Sequence, residues 1–347
     1  MFGTDANAEV FSGPAVAGPH ARARGTLVSN TPPCGRTAGK APRLERVSIP
    51  TGVPAAHAHR LRKTVGAYIA LTKPRILWML LFTALCTMIL AAHGWPGTRL
   101  TAATLIGLAM STGGGAAFNM WYDRDIDAVM SRTRHRPLPA GMVPPTGALV
   151  WSLCLVTGSV ILLWAFVHPL AAVLSAAGFV YYALVYTVWL KRRTPQNIVI
   201  GGGAGAFPVL VGWAAVTGHL DLGAWGLFAI VFFWTPPHFW ALALFKNQDY
   251  VRAGVPMMPV VRGERAARVQ SLVHAALLLA VTVALPWLAP VGPLYVAVSS
   301  VVGAVFLYSV FRMYREADGR YEWARRTFVC SLGYLPAVFL AVATTGL

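Results

Sequence analysis

Nine apolar runs, each close to the ~20 residues an α-helix needs to cross ~30 Å of hydrocarbon, leave this chain few ways to fold. They lie at about 76–93, 100–120, 146–166, 169–189, 198–217, 223–244, 270–289, 293–312 and 327–346. With 56% apolar and only 12% charged residues and a mean hydropathy of +0.58, the composition is not that of a soluble globular protein. None of the runs shows the two-residue alternation of an outer-membrane barrel. The expected fold is therefore all-α: a polytopic membrane helical bundle of nine transmembrane helices.

Charge placement orients this bundle. Of the 29 Lys and Arg residues, every one but Arg99 falls in the N-terminal segment or in loops on that segment's side of the alternating spans, and among the acids only Asp221 lies opposite. The positive-inside rule then predicts a cytoplasmic N-terminus and cytoplasmic charged loops. Insertion topology accounts for the net charge of +17, so no nucleic-acid partner is expected. Residues 1–64, rich in Ala, Gly, Pro, Thr and Arg and without apolar periodicity, read as a disordered cytoplasmic tail, and residues 65–347 as the intramembrane domain. The arginine content would also fit a transit peptide, while Asp5, Glu9 and the many prolines argue against an amphipathic presequence. Arg60-Leu61-Arg62-Lys63 reads as a juxtamembrane anchor. The four cysteines, Cys34, Cys86, Cys154 and Cys330, form neither a C-x-x-C pair nor a metal-ligand spacing.

Chemistry concentrates between Asn119 and Gly141. Three of the twelve acids, Asp123, Asp125 and Asp127, directly follow the second apolar run. Asn119, Asp123 and Asp127 recur every four residues, so on a helix each step drifts by only about 40° and the three oxygens line one face, with Asp125 pointing elsewhere. Such a set suits a hard divalent cation such as Mg²⁺, which takes oxygen ligands and is completed by substrate phosphates and water. Arg124, Arg132, Arg134 and Arg136 follow, and Pro137-Leu138-Pro139-Ala140-Gly141 forms a stiff turn able to hold cationic donors against a phosphate.

Other stretches on the same side add candidates. Lys73 and Arg75 flank Pro74 at the first span, as snorkelling anchors or as substrate contacts. Lys191 and Arg193 follow span four, where they serve topology or meet an anion. Gly113-Gly114-Gly115 and Gly201-Gly202-Gly203 supply small surfaces for close helix packing, the second of them alternatively leaving room for a bulky ligand. Span six carries Pro236-Pro237-His238 and runs on to Lys246 and Asp249, which lies eleven residues beyond His238 and would return to nearly the same helical face. His238, Lys246 and Asp249 are expected to form the opposite wall of the site, with the prolines opening space beside His238 and Trp234, Phe239 and Trp240 offering flat apolar surface. An acidic, cation-ringed centre above an apolar interior fits a substrate with a diphosphate head and a lipid tail. A transporter, the alternative class, would place ionisable residues near the bilayer midplane, and no Asp, Glu, Lys or Arg stands in the middle of any of these apolar runs.

The pattern Asn119-x-x-x-Asp123-x-x-x-Asp127 with Arg136-Pro137-Leu138-Pro139-x-Gly141 resembles the first aspartate-rich motif of the UbiA-type intramembrane prenyltransferases, over about residues 65–347. Thr72-Lys73-Pro74-Arg75, the stretch Tyr186–Asn197, and Pro237-His238-Phe239-Trp240 with Asp249-Tyr250 and Ala253-Gly254 resemble the haem-modifying branch of that family. The resemblance implies transfer of a farnesyl group from farnesyl diphosphate to a vinyl group of haem b, with addition of water, in the cell inner membrane and with the active site facing the cytoplasm. Quinone-precursor or chlorin acceptors remain as alternatives that share the first motif. It implies Mg²⁺ held by Asn119, Asp123 and Asp127, catalytic roles for Asp123, Asp127 and His238, and substrate contacts from Asn119, Lys73, Arg75, Arg132, Arg136, Lys191, Arg193, Lys246 and Asp249. Haem A synthase or the terminal oxidase assembly are the partners it implies on the product side. Where many family members carry several aspartates in a second motif, this chain has His238, Lys246, Asn247 and the single acid Asp249.

Overall fold

The computed structural model describes the backbone of residues 53–346 and the side chains of residues 62–345. Most of the expected disordered tail lies outside the described residues. Within them the chain runs α1 (Val53–Leu71), α2 (Pro74–Ala92), α3 (Thr98–Tyr122), α4 (Arg124–Val129), α5 (Pro145–Phe166) and α6 (Pro169–Val180), which continues into a π-helix (Tyr181–Leu190). After it come α7 (Asn197–Gly201), a 3-10 turn (Gly202–Ala206) and α8 (Phe207–Thr217), then α9 (Leu222–Phe245), α10 (Asn247–Arg252), α11 (Met258–Ala284), α12 (Pro293–Arg315) and α13 (Glu322–Gly346).

Among the described residues, nine helical segments are long and apolar enough to cross a membrane, at 74–92, 98–122, 145–166, 169–190, 197–217, 222–245, 258–287, 293–315 and 322–345. They match the nine expected runs. The largest displacement is at α11, which begins at Met258 rather than near residue 270, because residues 258–262 and, after a break at Gly263 (φ 78, ψ 167), the charged turns carrying Glu264, Arg265 and Arg268 are helical ahead of the apolar run. A second difference concerns the tail: α1 begins at Val53, so residues 53–64 are helical, although Ala67 is the first described residue that is buried. α2, α5, α6, α8, α11 and α12 each carry a proline in the first turn, where the missing N–H leaves no helical bond unmade.

The helices pack as two groups. In one, α3 lies on α5, α5 on α6, and α6 and α2 on α8; in the other, α9, α11, α12 and α13 pack in sequence; α2 joins the groups by lying against α13. Serines replace apolar contact where backbones approach closely: Ser152 donates to Gly114 O at 2.7 Å and Ser159 to Gly107 O at 2.6 Å. A Cβ on Gly114 would stand 2.7 Å from Val156 Cγ2, and one on Gly201 only 2.1 Å from Tyr186 Cδ2, so both glycine stretches serve helix packing at these points. Outward-facing Ile161, Trp164, Phe166, Trp189 and Trp287 are exposed, as a lipid-facing surface requires.

Candidate functional site

The chain gathers its charge where α3 ends. Asp123 (φ −89, ψ 13) is the joint between α3 and α4, yet its N–H still bonds Asn119 O at 2.9 Å and Asp127 N–H bonds Asp123 O at 2.8 Å. The helical rise therefore carries through the joint. Asn119, Asp123 and Asp127 are all buried (4%, 0% and 2% exposed), whereas the Asp125 side chain is 62% exposed.

Two buried carboxylates would each cost several kcal/mol without partners, and each has one. Arg136 Nη1 donates to both oxygens of Asp127 at 2.9 and 2.7 Å. Lys191 Nζ donates to Asp123 Oδ2, and Arg192 Nη2 reaches Asp123 Oδ1 at 3.3 Å. Arg192 also grips both oxygens of Asp125 at 2.8 Å and lies over the Tyr122 ring, and its hydrogen bonds hold the Asp125 carboxyl below the usual carboxylate range. Asn119 threads the cluster: its amide nitrogen donates to Asp123 Oδ2 at 2.7 Å and to Thr187 Oγ1 at 3.2 Å, while its oxygen accepts from Lys73 Nζ at 2.9 Å.

Lys73 stands in the left-handed region (φ 52, ψ 59) between α1 and α2, a conformation a non-glycine residue adopts only when its surroundings hold it. Burial of its ammonium, with Arg136 and Lys191 nearby, lowers its pKa from 10.5 to about 7, a fall that Asp127 and Asp123 offset only in part. Near neutral pH this lysine is therefore poised between its two states.

Lys191 and Thr187 reach the cluster through the π-helix. Its wider turn pairs Lys191 N–H with Tyr186 O at 2.9 Å and Thr187 Oγ1 with Tyr182 O at 2.9 Å, five residues back in each case. Tyr182 and Tyr186 stack beside the acids, with centroids 5.7 Å apart and planes at 13°. π-helical turns are rare and concentrate at functional sites.

A second polar group adjoins the first. The Ser131 hydroxyl stands 2.9 and 2.8 Å from the two oxygens of Asp249 and donates to that carboxylate, Arg252 pairs with Asp249, and Arg132 adjoins Tyr250. Burial alone would raise the Asp249 pKa; the hydrogen bonds from Ser131 and Arg252 outweigh it and hold the carboxyl below its ordinary value. Tyr186 is an electrostatic neighbour of Tyr250, Asp123 and Arg132, which links the two groups.

The structure thus brings together Lys73, Asn119, Asp123, Asp127, Arg136 and Lys191, with Arg132 and Asp249 adjoining. Other expected members stand apart. Arg75, Arg193 and Lys246 are exposed, and among the described residues no acid of the site pairs with them; Arg192 takes the position expected of Arg193. The shared face of His238 and Asp249 does not exist, because α9 ends at Phe245 and Lys246 (φ −115, ψ 18) breaks the helix before α10. His238 instead meets α13: its Nδ1 lies 2.6 Å from Ser331 Oγ, and its ring is stacked between Trp234 and Phe328. Nor is Trp240 an open surface, being fully buried. Arg192, Thr187 and Tyr186 belong to the stretch Tyr186–Asn197 and Ser131 to the stretch between Asn119 and Gly141 without being singled out there, and Tyr182 and Ser331 lie outside both: the π-helix has no sequence signature, and a serine in an apolar run such as Ser331 reads as packing.

For a divalent cation the donor chemistry fits in part. Asp123 and Asp127 supply buried, hard carboxylate oxygens, while Asn119 gives its oxygen to Lys73; among the described residues no three acidic, His or Cys side chains cluster.

Fold and site define a polytopic α-helical membrane protein with a buried centre of paired carboxylates and cations where several spans end. Residues 80–332 match the UbiA prenyltransferase family, and the chain belongs to it. It is 53% identical over 281 residues to the protoheme IX farnesyltransferase of Symbiobacterium thermophilum, covering 81% of this chain and 94% of that one. With the protoheme IX farnesyltransferase of Granulibacter bethesdensis it shares 46% identity over 287 residues, 80% of this chain and 89% of the other. Among solved structures, a digeranylgeranylglyceryl phosphate synthase superposes with a TM-score of 0.69 at 16% identity, covering 82% of this chain and 98% of that one. A UbiA homologue from Archaeoglobus fulgidus bound to GPP and Mg²⁺ superposes with a TM-score of 0.59 at 15% identity, covering 80% and 99%.

Proposed function

We propose that this protein transfers the farnesyl group of farnesyl diphosphate to a vinyl group of haem b, giving haem O and diphosphate. The observation that carries the chemistry is the partnering inside the buried cluster: each carboxylate is held by a cation of the kind a diphosphate would take. The acceptor rests on the likeness to the farnesyltransferases of Symbiobacterium and Granulibacter.

On this reading Lys73 turns from the Asn119 oxygen, and Arg136, Lys191 and Arg192 from the acids, to the phosphate oxygens, and Arg132 and Asp249 border the same head group. Asp123, Asp127 and Asn119 would hold Mg²⁺, which when bound neutralises charge developing on the departing diphosphate. The farnesyl C1–O bond breaks with its electron pair leaving on the diphosphate. The vinyl π electrons form the new C–C bond, and water captures the resulting cation on the porphyrin side and loses a proton. The stacked Tyr182–Tyr186 pair offers aromatic faces to the allylic cation, and the apolar interior keeps water from it until the C–C bond has formed.

Residues 65–347 act as the catalytic domain and residues 1–64 as an appendage to it, a division supported by Ala67 being the first buried side chain among the described residues. The distribution of Lys and Arg favours a cytoplasmic N-terminus and a cytoplasmic opening of the site in the cell's inner membrane. Delivery of the product to a haem A synthase or to an oxidase under assembly belongs to the same reading. The test is mass spectrometry of haems from membranes with and without this protein, together with turnover of farnesyl diphosphate and haem b by the purified enzyme with and without Mg²⁺. Haem O that appears only with the protein and the metal is the expected result; a prenylated quinone precursor or chlorin in its place would refute the acceptor.

A further inference from the structure

We propose that His238 is an axial ligand to the iron of the porphyrin acceptor, and that Ser331 is the positioning residue that readies it. The proposal rests on haem b being the acceptor.

The Ser331 hydroxyl has one hydrogen, and Phe328 O, 2.6 Å away, can only accept it. The second contact of the same oxygen, 2.6 Å to His238 Nδ1, is then a hydrogen bond only if the imidazole donates. A neutral imidazole that donates from Nδ1 carries its bare lone pair on Nε2.

The surroundings of the ring say how that lone pair is used. Trp234 covers one face at 4.3 Å between centroids and 17° between planes, and Phe328 covers the other at 4.9 Å and 27°. Trp234 is itself pinned, its indole N–H donating to Ser331 O at 3.0 Å. Neither a porphyrin nor an allylic cation can rest on the imidazole face. What remains is the ring edge, and among the described residues no protein group bonds Nε2. His238 is half-buried, so that edge is reachable.

An imidazole with one nitrogen anchored as a donor and the other bare is the arrangement of metal-ligating histidines, whose second-shell partner fixes both tautomer and ring orientation. His274, the other histidine within this group of helices, shows the contrast. Its Nδ1 is also anchored, on Gln270 O at 2.8 Å, but it is only 8% exposed and packs edge-on against the fully buried Trp240 at 5.5 Å and 88°. His238 precedes the end of α9 at Phe245 by seven residues, about 10 Å along the axis. A haem held there lies in the apolar part of the bundle.

The experiment titrates the detergent-purified enzyme with ferric haem b and with iron-free protoporphyrin IX and follows the absorption spectrum. The wild type is expected to give the spectrum of imidazole-ligated haem; His238→Ala loses it and free imidazole restores it. Ser331→Ala weakens haem affinity about 10- to 100-fold, and Ser331→Thr, which keeps the hydroxyl, recovers most of it. Iron-free porphyrin, with nothing to ligate, binds wild type and variants within a few-fold. Unchanged haem spectra in His238→Ala, or equal losses for haem and iron-free porphyrin, would overturn the proposal. If Ser331→Ala fails to fold, imidazole rescue of His238→Ala still decides. A wild type that makes haem O without the ligated spectrum sinks this inference alone, whereas one that shows the ligated spectrum but makes no haem O sinks the proposed function.

Discussion

Asp123 and Asp125 sit two positions apart and share Arg192, yet they have opposite surroundings. Asp123 is fully buried among Lys191, Arg192 and Asn119, whereas Asp125 is largely solvated. Asp123→Ala therefore leaves the part-buried Lys191 without its counter-charge and removes a proposed metal oxygen; turnover should fall by about 10²–10³ or more, the scale of losing one preorganised electrostatic group. Asp125→Ala removes a solvated pair and should stay within a few-fold. Steady-state farnesyl transfer by both variants, at matched protein levels in the membrane, checks this; equal losses would refute the distinction. Spacing alone makes this division legible, because a four-residue repeat stays on one helical face even across the joint at Asp123. The partner of Asp123 is less legible: Lys191, Arg192 and Arg193 are consecutive in sequence, and only the π-helical turn decides that the first two meet the acids while the third faces out.

Elements differ in how far their sequence gives them away. The nine spans follow from apolar length, since the cost of leaving backbone groups unpaired in hydrocarbon makes helix the only open-ended solution. The break between α9 and α10 does not, because Lys246 carries no Gly or Pro signal. The π-helix is likewise unsignalled, and Gly201, which makes room for Tyr186, is its nearest trace. Gly201→Ala would set a Cβ 2.1 Å from Tyr186 Cδ2 and must displace that ring, whereas a Cβ at Gly205 meets nothing within 4 Å. The first substitution should destabilise the protein by about 1–3 kcal/mol and weaken binding of a farnesyl diphosphate analogue; the second should do neither. Thermal unfolding in detergent and analogue titration separate them. Arg268 is a third unsignalled feature. It is 1% exposed, pairs with Glu264 of its own helix at 3.0 Å, and ties α11 to the α12–α13 loop through Asp318 at 2.9 Å and the Ala317 and Arg320 carbonyls at 3.3 and 3.2 Å. Arg268→Met leaves the Ala317 and Arg320 carbonyls without this donor, while Glu264 keeps the Gly319 N–H and the Tyr321 hydroxyl; the expected loss is about 1–3 kcal/mol, the cost of unsatisfied buried acceptors. An unchanged melting temperature would show the latch to be dispensable.

At the scale of the whole molecule, function divides along the chain. The cations and carboxylates of the site come from the residue before α2, the end of α3, α4, the residues after the π-helix and the turn before α5, while His238 and Ser331 come from α9 and α13 in the other helix group. The N-terminal segment contributes to neither within the described residues: residues 62–66 are exposed, and burial begins with Ala67 and Leu71, which pack with Ala117, Met120 and Leu138 beneath the site. A deletion of residues 2–52 stops before α1 and removes no described contact. It should leave farnesyl transfer within a few-fold of the full chain. A deletion of residues 2–71 takes away Ala67 and Leu71 and frees the left-handed turn that holds Lys73 against Asn119. That second deletion should lose affinity for a farnesyl diphosphate analogue even where the protein still inserts. Quantifying both truncations in membranes, with analogue binding and turnover measured on the same samples, tests the boundary. Loss of turnover at normal abundance in the shorter deletion would mean that the N-terminal segment takes part in catalysis.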